Sequence, residues 1–287
     1  MELSSGISQF LKQVETLGRS PATITAYQND LGQLSSFLSE KEVNKVTTAD
    51  LEAFNRHLAA KGFTLKTLSR KINSIKSFFK YLHAQEKVIV DPSKAVAHPT
   101  LQAKLPRVLH ADEIELLRTE TKANIRLQTL VELMLQTGLR IGEISRLKLE
   151  HIRIKNLTGQ LLIEEYASSA MRIVELNLAA VKAIKAFIPH RLQVSNDKGY
   201  LFNTKNGGGM IIRNIRSTVD RPFRKAGIKN ATVNDLRNTF IVYQLNKGVS
   251  LEKIGQTVGH KRFSSTEKFL SMMSRSKPGR GAKLAIL

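Results

Sequence analysis

The chain has 287 residues, 41% of them hydrophobic and 24% charged, a balance typical of globular proteins and sufficient for two domains of ordinary size. Its net charge of +21 favours a polyanionic partner, most simply nucleic acid, over a merely basic surface or a membrane-surface binder. The absence of cysteine excludes disulfides and thiolate chemistry. A polar N-terminus and the lack of a long apolar run predict no membrane partner and a cytoplasmic, nucleoid-associated protein.

Residues 1 to about 95 predict a helical domain. Ser20, followed by proline, is typical of a helix start, and apolar residues then recur at three- and four-residue steps from Ile24 to Leu38. A second predicted helix stops at Gly62, and Thr64 is placed to cap a third. Three predicted helices in succession indicate a helical domain.

The third predicted helix has an apolar face and a basic face. Leu68, Ile72, Ile75, Phe79 and Leu82 would pack inward. The opposite face carries five basic residues, and no acidic residue occurs from Lys66 to Lys80. Such a face is often only solvated, but its uniform charge favours contact with DNA phosphates. The basic face consists of Lys66, Arg70, Lys71, Lys76 and Lys80.

The remainder of the chain predicts a second domain of helices around a small sheet. Short β-prone runs between residues 151 and 176 suggest an antiparallel sheet, and Gly207 begins a glycine run that we expect to be a flexible loop. Helices are predicted over 178–190, 211–226, 232–247, 250–258 and 264–274. The fold class is therefore mainly α with a small antiparallel β-sheet. We place a first domain at 1–96, a linker at 97–108, a second domain at 109–277 and a tail at 278–287.

Two arginines stand in distinctive contexts in the second domain. Arg140 follows a Thr-Gly-Leu turn and precedes Gly142-Glu143, and Arg237 lies within Asp235-Leu236-Arg237-Asn238-Thr239-Phe240. A planar guanidinium can donate two hydrogen bonds to two phosphate oxygens. Either arginine alone would be read as a surface charge, so the functional interpretation depends on their occurring together.

A Gly-His pair and an aromatic residue complete the pattern. His260 follows Gly259, and Phe269 stands nine residues after it. The order and spacing of these motifs resemble the tyrosine recombinases, also called the phage integrase family. The likeness extends over nearly the whole chain, because the Phe-Phe-Lys-Tyr-Leu run from Phe78 and the Asp-Pro pair at Asp91 resemble the helical core-binding domain of that family.

The resemblance implies a role for each motif residue. Arg140 and Arg237 would bind the scissile phosphate, and His260 would donate a hydrogen bond to it. Phe269 stands where the family has the tyrosine that attacks DNA, and phenylalanine has no hydroxyl with which to do so.

Two further positions depart from the family pattern. Asn234 stands at the usual histidine position and cannot titrate near neutral pH. Ala167 falls at the usual position of a lysine that protonates the leaving oxygen, and Lys205 is a candidate substitute for it. Arg172, beside this predicted hairpin, and Lys205 are also counted among the DNA-binding residues.

The resemblance further implies an N-terminal core-binding domain and a C-terminal α+β catalytic domain that close on duplex DNA as a C-shaped clamp. Four protomers on two inverted-repeat core sites would exchange strands through a 3′-phosphotyrosyl link and a Holliday junction, with no metal and no cofactor. Residues after Phe269 would reach a neighbouring protomer. A simple resolving enzyme of a transposon or of chromosome dimers fits better than a large phage integrase.

Three hypotheses remain open at this point. The first is a site-specific recombinase of a mobile element or resolution system whose nucleophile has been replaced. The second is a non-catalytic regulator or architectural DNA-binding protein on the same fold. The third, an unrelated basic helical RNA-binding protein, leaves the arginine and Gly-His motifs without explanation.

Overall fold

The computed structural model describes residues 1–100, 105–166, 170–272 and 284–287. The chain divides into two compact units, Met1–Ala103 and Lys104–Leu287, and each has its own hydrophobic core. The division falls within the segment predicted as a linker. The domain limits drawn from the sequence stay a prediction.

The first unit is a bundle of four helices. Ser20 caps the second helix with proline at its first position, and Thr64 caps the fourth, as the sequence predicts. Thr47 and Asp50 form a capping box at the start of the third helix, so this helix includes Thr48. The helices are α1 (Leu3–Thr16), α2 (Pro21–Phe37), α3 (Thr48–Ala60) and α4 (Leu65–Ala84).

The second unit surrounds one small sheet with helices. Its helices are α5 (Ala111–Thr121), α6 (Ile125–Thr137), α7 (Ile141–Arg146), α8 (Leu178–Phe187), α9 (Ile212–Lys225), α10 (Val233–Asn246), α11 (Leu251–Val258) and α12 (Ser264–Glu267). Its strands are β1 (Ile152–Lys155), β2 (Thr158–Ile163) and β3 (Arg172–Leu176). The prediction of a mainly helical fold with a small antiparallel sheet is confirmed.

The sheet is antiparallel in the order β1-β2-β3. Alternate residues of β2 and β3 are buried, including Leu161 and its partner Val174, and they belong to the same core as residues of α6 and α8. Leu162 and its partner Ile173 lie on the opposite, exposed face. The sheet therefore buries one face and leads β3 toward the end of α11.

A second cluster of buried residues in this unit joins α10, α11 and the segment after α12. Its members are Phe240, Ile241, Val242, Leu245, Val249, Ile254, Val258 and Phe269. Because α10 also packs against α6, this cluster fixes the ends of α6 and α11 next to the first turns of α10. That junction holds most of the sequence-predicted site.

Three local features differ from the sequence-based expectations. The helix expected over 264–274 is the short α12 followed by a 3₁₀ turn at Leu270–Met272, because Phe269 and Met272 donate to carbonyls three residues back. The glycine run is tied down, since Lys198 and Thr204 donate to the carbonyls of Gly207 and Gly208. The end of the expected tail, residues 284–287, packs against the second unit.

The described ranges contain no helix long and apolar enough to cross a bilayer.

Candidate functional site

Arg140 is positioned by the sharp turn that ends α6. Gly138 closes α6 with a φ of +62°, and a Cβ at this position would lie 2.5 Å from Cδ1 of Phe240. Only glycine fits here without displacing the aromatic core. Two residues later, the backbone N–H of Arg140 donates to Oε2 of Glu143 at 2.8 Å and starts α7. The Thr-Gly-Leu-Arg motif therefore encodes a helix stop, a turn and a new helix start.

The guanidinium groups of Arg140 and Arg237 meet at one backbone carbonyl. Nη1 of Arg140 lies 3.2 Å from the Val258 oxygen, and Nη2 of Arg237 lies 2.8 Å from the same oxygen. Arg140 also donates to Gly259 O at 2.8 Å, and Arg237 donates to Gly138 O. Backbone carbonyls from the ends of α6 and α11 thus hold the two predicted phosphate ligands side by side.

The two arginines differ in exposure. The side chain of Arg140 is 33% exposed, whereas Arg237 is 8% exposed. Burial, and then the neighbouring charge of Arg140, lower the pKa of Arg237 to about 9, so this guanidinium stays protonated at neutral pH. Arg140 is therefore the more accessible member of a pair that carries two positive charges.

Glu143 is the carboxylate that organises this cluster. Arg172 forms a bidentate ion pair with it, at 2.9 and 3.0 Å, and donates from Nε to the Thr257 carbonyl at 2.8 Å. The Arg172 side chain is only 10% exposed. A Cβ on Gly259 would lie 2.7 Å from Nη1 of Arg172, which explains the glycine of the Gly-His pair. Arg172 was expected to bind DNA, but its geometry is that of a support for Glu143 and α11.

His260 lies beside the arginine pair. Its Nδ1 is 2.8 Å from Oγ1 of Thr266, a buried residue of α12 that sequence reasoning did not single out. Burial, followed by the charges of Arg237, Arg140, Lys268 and Arg172, lowers the pKa of His260 to about 4. The imidazole is therefore neutral at physiological pH, with Thr266 fixing the orientation of the ring.

Phe269 is part of the hydrophobic core. Its ring is 1% exposed, and it belongs to the same buried cluster as Phe240 and Val258. Lys268 Nζ lies 5.1 Å from the centroid of the Phe269 ring. The side chain at the nucleophile position thus contributes packing, and it has no atom able to attack phosphorus.

The remaining predicted site positions form no hydrogen bond with the arginine pair that the structure describes, or lie outside the described residues. Asn234 is exposed on the first turn of α10, one turn before Arg237. Lys205 is exposed in the turn between Asn203 and Gly209. Ala167 lies outside the described residues. That Asn234 and Ala167 stand at the usual histidine and lysine positions, and that Lys205 substitutes for the lysine, stay predictions.

The site as a whole is positively charged in the part of the chain that the structure describes. Three arginines and Lys268 surround His260, and Glu143 is the carboxylate that pairs with Arg140 and Arg172. No group of His, Asp or Glu side chains among the described residues is arranged to hold a metal ion. Such a cluster is suited to bind an anion whose negative charge is shared by two oxygens, such as a phosphodiester.

The basic face of α4 is narrower than the sequence suggested. Lys66 and Arg70 are exposed and Lys76 is half-buried, consistent with their positions on the predicted face. Lys71 is only 3% exposed and forms a buried ion pair with Asp30 at 2.8 Å. The expectation that Lys71 lies on the exposed basic face is therefore wrong, because a buried carboxylate on α2 draws the ammonium inward.

A second basic helix was missed by the sequence analysis. The exposed basic residues of α9 share one unit with the arginine pair, and Asp220 is the acidic residue among them. The helix buries Ile215, Val219 and Phe223 on one face. The alternation of these apolar residues with arginines in the sequence is typical of an amphipathic helix whose basic face binds phosphates. These exposed residues are Arg213, Arg216, Arg221, Arg224 and Lys225.

The C-terminal segment 284–287 contacts α6 and α10 of the second unit. Gln244, fully buried on α10, pairs with both backbone groups of Ala285 at 2.7 and 2.8 Å. Gln136, buried on α6, does the same with Leu287 at 2.7 and 3.1 Å. Each glutamine side chain thus donates to the carbonyl and accepts from the N–H of one residue of the segment, as a neighbouring strand would.

Comparison with protein-family models and curated proteins agrees with this geometry. Residues 107–273 match the model described as the phage integrase family, and residues 7–86 match the phage integrase N-terminal SAM-like domain. Tyrosine recombinase XerC of Lactobacillus delbrueckii subsp. bulgaricus is 29% identical over 282 residues, covering 93% of each chain. Tyrosine recombinase XerD of Rhizobium meliloti is 26% identical, covering 89% of this chain and 86% of the relative.

Solved structures share the fold. The Tn1549 transposon integrase in complex with transposon right end DNA has a TM-score of 0.77 at 20% identity, covering 96% of each chain. The site-specific recombinase XerH bound to a palindromic difH substrate has a TM-score of 0.76 at 19% identity, covering 88% of this chain and 77% of the other.

Proposed function

This chain belongs to the phage integrase family, and from that membership we propose that it binds duplex DNA at an inverted-repeat core site and is built for site-specific recombination. The observation that carries the proposal is the convergence of Arg140 and Arg237 on the Val258 carbonyl. A phosphodiester placed before this pair would meet two fixed cations and the neutral ring of His260. The curated relatives are named as tyrosine recombinases, which agrees with this substrate class.

The proposed chemistry divides into binding and cleavage. For binding, the two guanidinium groups would stabilise the negative charge on the non-bridging oxygens, and His260 would donate a hydrogen bond to one of them. For cleavage, a hydroxyl oxygen must attack phosphorus while the sugar 5′-oxygen leaves with a proton. Phe269 supplies no such oxygen, so we propose that the chain as written binds its site without forming a phosphotyrosyl link.

Two explanations for Phe269 remain, and different observations favour each. Retention of a complete arginine pair with its Glu143 support favours a recombinase in which the nucleophile alone was replaced. The solved Tn1549 complex with right end DNA likewise contains a tyrosine-to-phenylalanine variant. Asn234 and Ala167, at two proton-transfer positions, favour a non-catalytic DNA-binding protein on the same fold.

The first explanation predicts that Phe269→Tyr restores strand cleavage. The ring already lies in the segment that follows His260, and the substitution adds only the attacking oxygen. We expect a covalent protein–DNA adduct on a nicked suicide substrate carrying the recombination site for Phe269→Tyr and none for the unaltered chain. The adduct is measured on a denaturing gel, with thermal unfolding of both proteins as the check on folding.

The matched control adds Arg140→Ala to Phe269→Tyr. This variant should lose the adduct while retaining most duplex binding, because the phosphate ligand is removed and the basic helices remain. The same outcome is expected for Arg237→Ala, with lower stability because the Gly138 carbonyl loses its arginine donor and the Val258 carbonyl keeps only Arg140. Tight binding without an adduct in Phe269→Tyr would support the non-catalytic explanation instead.

We also propose that the chain assembles as a homo-oligomer, with four protomers on two sites. The surface that holds residues 284–287 offers a binding place for the same segment of a neighbouring protomer, since Gln136 and Gln244 bond to the segment through its backbone groups. Mass photometry on a DNA fragment with one core site should give two bound protomers, and synapsed fragments should give four. Complexes that contain one protomer at every protein concentration would contradict this assembly.

A further inference from the structure

Helix α2 presents a polar face to a groove in the first unit. The groove has a volume of about 900 Å³ and lies between this face and the end of α3. Its opposite wall contains Phe54, His57, Lys61 and Phe63. The face of α2 that lines it carries hydrogen-bonding side chains around a glycine and consists of Gln28, Asn29, Gly32, Gln33 and Ser36.

A chain of hydrogen bonds links this face to a buried carboxylate. Asp30 is 1% exposed and accepts from Lys71 Nζ at 2.8 Å. The same ammonium donates to Oε1 of Gln33, also at 2.8 Å. The second oxygen of Asp30 accepts from Ser74 and from Arg70, whose side chain is 49% exposed. Asp30 therefore fixes one lysine inside the bundle and one arginine at its surface.

The position of Lys71 determines which end of the Gln33 amide faces outward. An ammonium group can only donate, so the amide oxygen must be the atom that faces it. The amide NH₂ group of this exposed side chain then remains available at the groove, with two donors. Rotating the amide would place two donors against the ammonium, which the electrostatics disfavour. Gln33 is thus an oriented hydrogen-bond donor.

The surroundings of Gln33 are suited to a close approach by DNA. Gly32 is exposed, and a Cβ placed on it would have no heavy atom within 4 Å, so nothing inside the protein requires glycine there. Glycine weakens a helix interior relative to alanine, and a close backbone approach is a common reason for it. Lys66 and Arg70, exposed on the neighbouring α4, supply charge for flanking phosphates.

We propose that Gln33 reads one base pair of the target in the major groove, donating from Nε2 to O6 or N7 of guanine or to O4 of thymine. Guanine presents two acceptors on this edge and thymine presents one without a neighbouring donor. Adenine places its N6 donor beside its N7 acceptor, and cytosine presents only its N4 donor, so both are less favourable partners for an NH₂ group. Lys71 is the positioning residue that orients the amide. This inference rests on the proposed binding of duplex DNA and adds to it a specificity-determining residue.

The test begins with selection of preferred sites from a randomised duplex library by the full-length chain. Affinities for the selected duplex and for its single-base-pair variants are then measured by fluorescence anisotropy at one salt concentration. For Gln33→Ala, the preference for guanine or thymine at one position of each half-site should fall about fivefold or more, while the other positions keep theirs. Gln13→Ala, an exposed glutamine on α1, is the matched control and should change no preference.

Two more variants separate positioning from contact. Lys71→Met keeps the length of the side chain but removes the donor, and it should flatten the preference at the same position as Gln33→Ala. Gln33→Glu replaces the outward donor with an acceptor, so the preference should shift toward cytosine or adenine. Thermal unfolding of each variant checks that it folds.

The outcomes distinguish this inference from the proposed function. Unchanged preferences in Gln33→Ala, with site-specific duplex binding intact, would overturn the role of Gln33 and leave the proposed function standing. Failure of the unaltered chain to bind duplex DNA would overturn both. A preference for single-stranded RNA over duplex DNA would have the same consequence.

Discussion

At His260, burial and four neighbouring cations act on the imidazole in the same direction. Each disfavours the protonated ring, which is why its pKa falls to about 4 from an ordinary value of 6.5. The folded protein therefore binds a proton at this residue less readily than the unfolded chain does. The stability that this residue contributes is complete above about pH 6.5 and is lost as the pH falls toward 4.

We predict that His260→Gln reduces the loss of stability on acidification. Glutamine keeps a hydrogen-bonding side chain near Thr266 but does not titrate. Between pH 7 and pH 5, the free energy of unfolding of the unaltered chain should fall by about 1 kcal/mol more than that of the variant, after allowance for solvent at a partly exposed ring. Urea denaturation at the two pH values measures this difference.

The comparison cancels the contributions of all other titrating groups, because they are common to both proteins. Equal losses of stability in the two proteins would mean that the folded state does not disfavour the imidazolium. That result would contradict the cationic environment assigned to His260.

The motif residues could be chosen from the sequence, but the partners that hold them could not. Arg140, Arg237 and His260 were chosen because their motifs resemble those of the phage integrase family, and in the structure they lie near one another. Lys71 was assigned to a surface because helical spacing indicates only which face a residue occupies. Whether a lysine at the edge of that face turns inward depends on a carboxylate 41 residues away in sequence, which periodicity does not show.

Among the elements, the junction of α6 and α7 is the most constrained. Gly138 combines a positive φ with a contact that leaves no space for a side chain. Its carbonyl also accepts from Arg237, so the turn and the site share one peptide unit. Strain at this residue should therefore affect both stability and DNA binding.

We predict that Gly138→Ala lowers the free energy of unfolding by about 2 to 4 kcal/mol, since it combines an unfavourable φ with overpacking against Phe240. Gly227→Ala is the matched control, because its φ is +71° and its Cβ would have no neighbour within 4 Å. The control should lose about 1 kcal/mol. Urea denaturation gives both values, and equal losses would show that the packing around Gly138 can adjust.

The predicted ends of helices agree with the structure where a capping residue stands in the sequence. The stop at Gly62, the cap at Thr64 and the three strands follow local rules that act within a few residues. The segment after His260 did not follow them, because its geometry is set by burial of the Phe269 ring among residues from two other helices. Long-range packing of this kind leaves no periodic signal in the sequence.

On the scale of the whole molecule, the positive charge is concentrated in residues 106–287, which carry 31 basic and 15 acidic side chains. Part of this excess lies on α9, in the same unit as the arginine pair. Contacts between the arginines of α9 and DNA phosphates would release counterions from the DNA. The affinity for DNA would therefore fall as the salt concentration rises.

We predict that Arg213→Ala with Arg216→Ala weakens binding to all duplexes alike and lowers the slope of log affinity against log salt by about 2. The control, Lys122→Ala with Lys182→Ala, removes the same charge from exposed positions on α8 and at the end of α5. Its slope should change by less than half as much. Equal changes in the two double variants would assign the effect to net charge rather than to α9.

The shared Val258 carbonyl has a consequence for how such proteins can change over generations. The arginine pair is held by backbone groups, and none of its described contacts needs a hydroxyl at residue 269. A single nucleotide change converts a tyrosine codon into a phenylalanine codon. A lineage can therefore lose the proposed cleavage reaction in one step and still retain the arginine pair, so that the proposed binding of DNA can be selected separately.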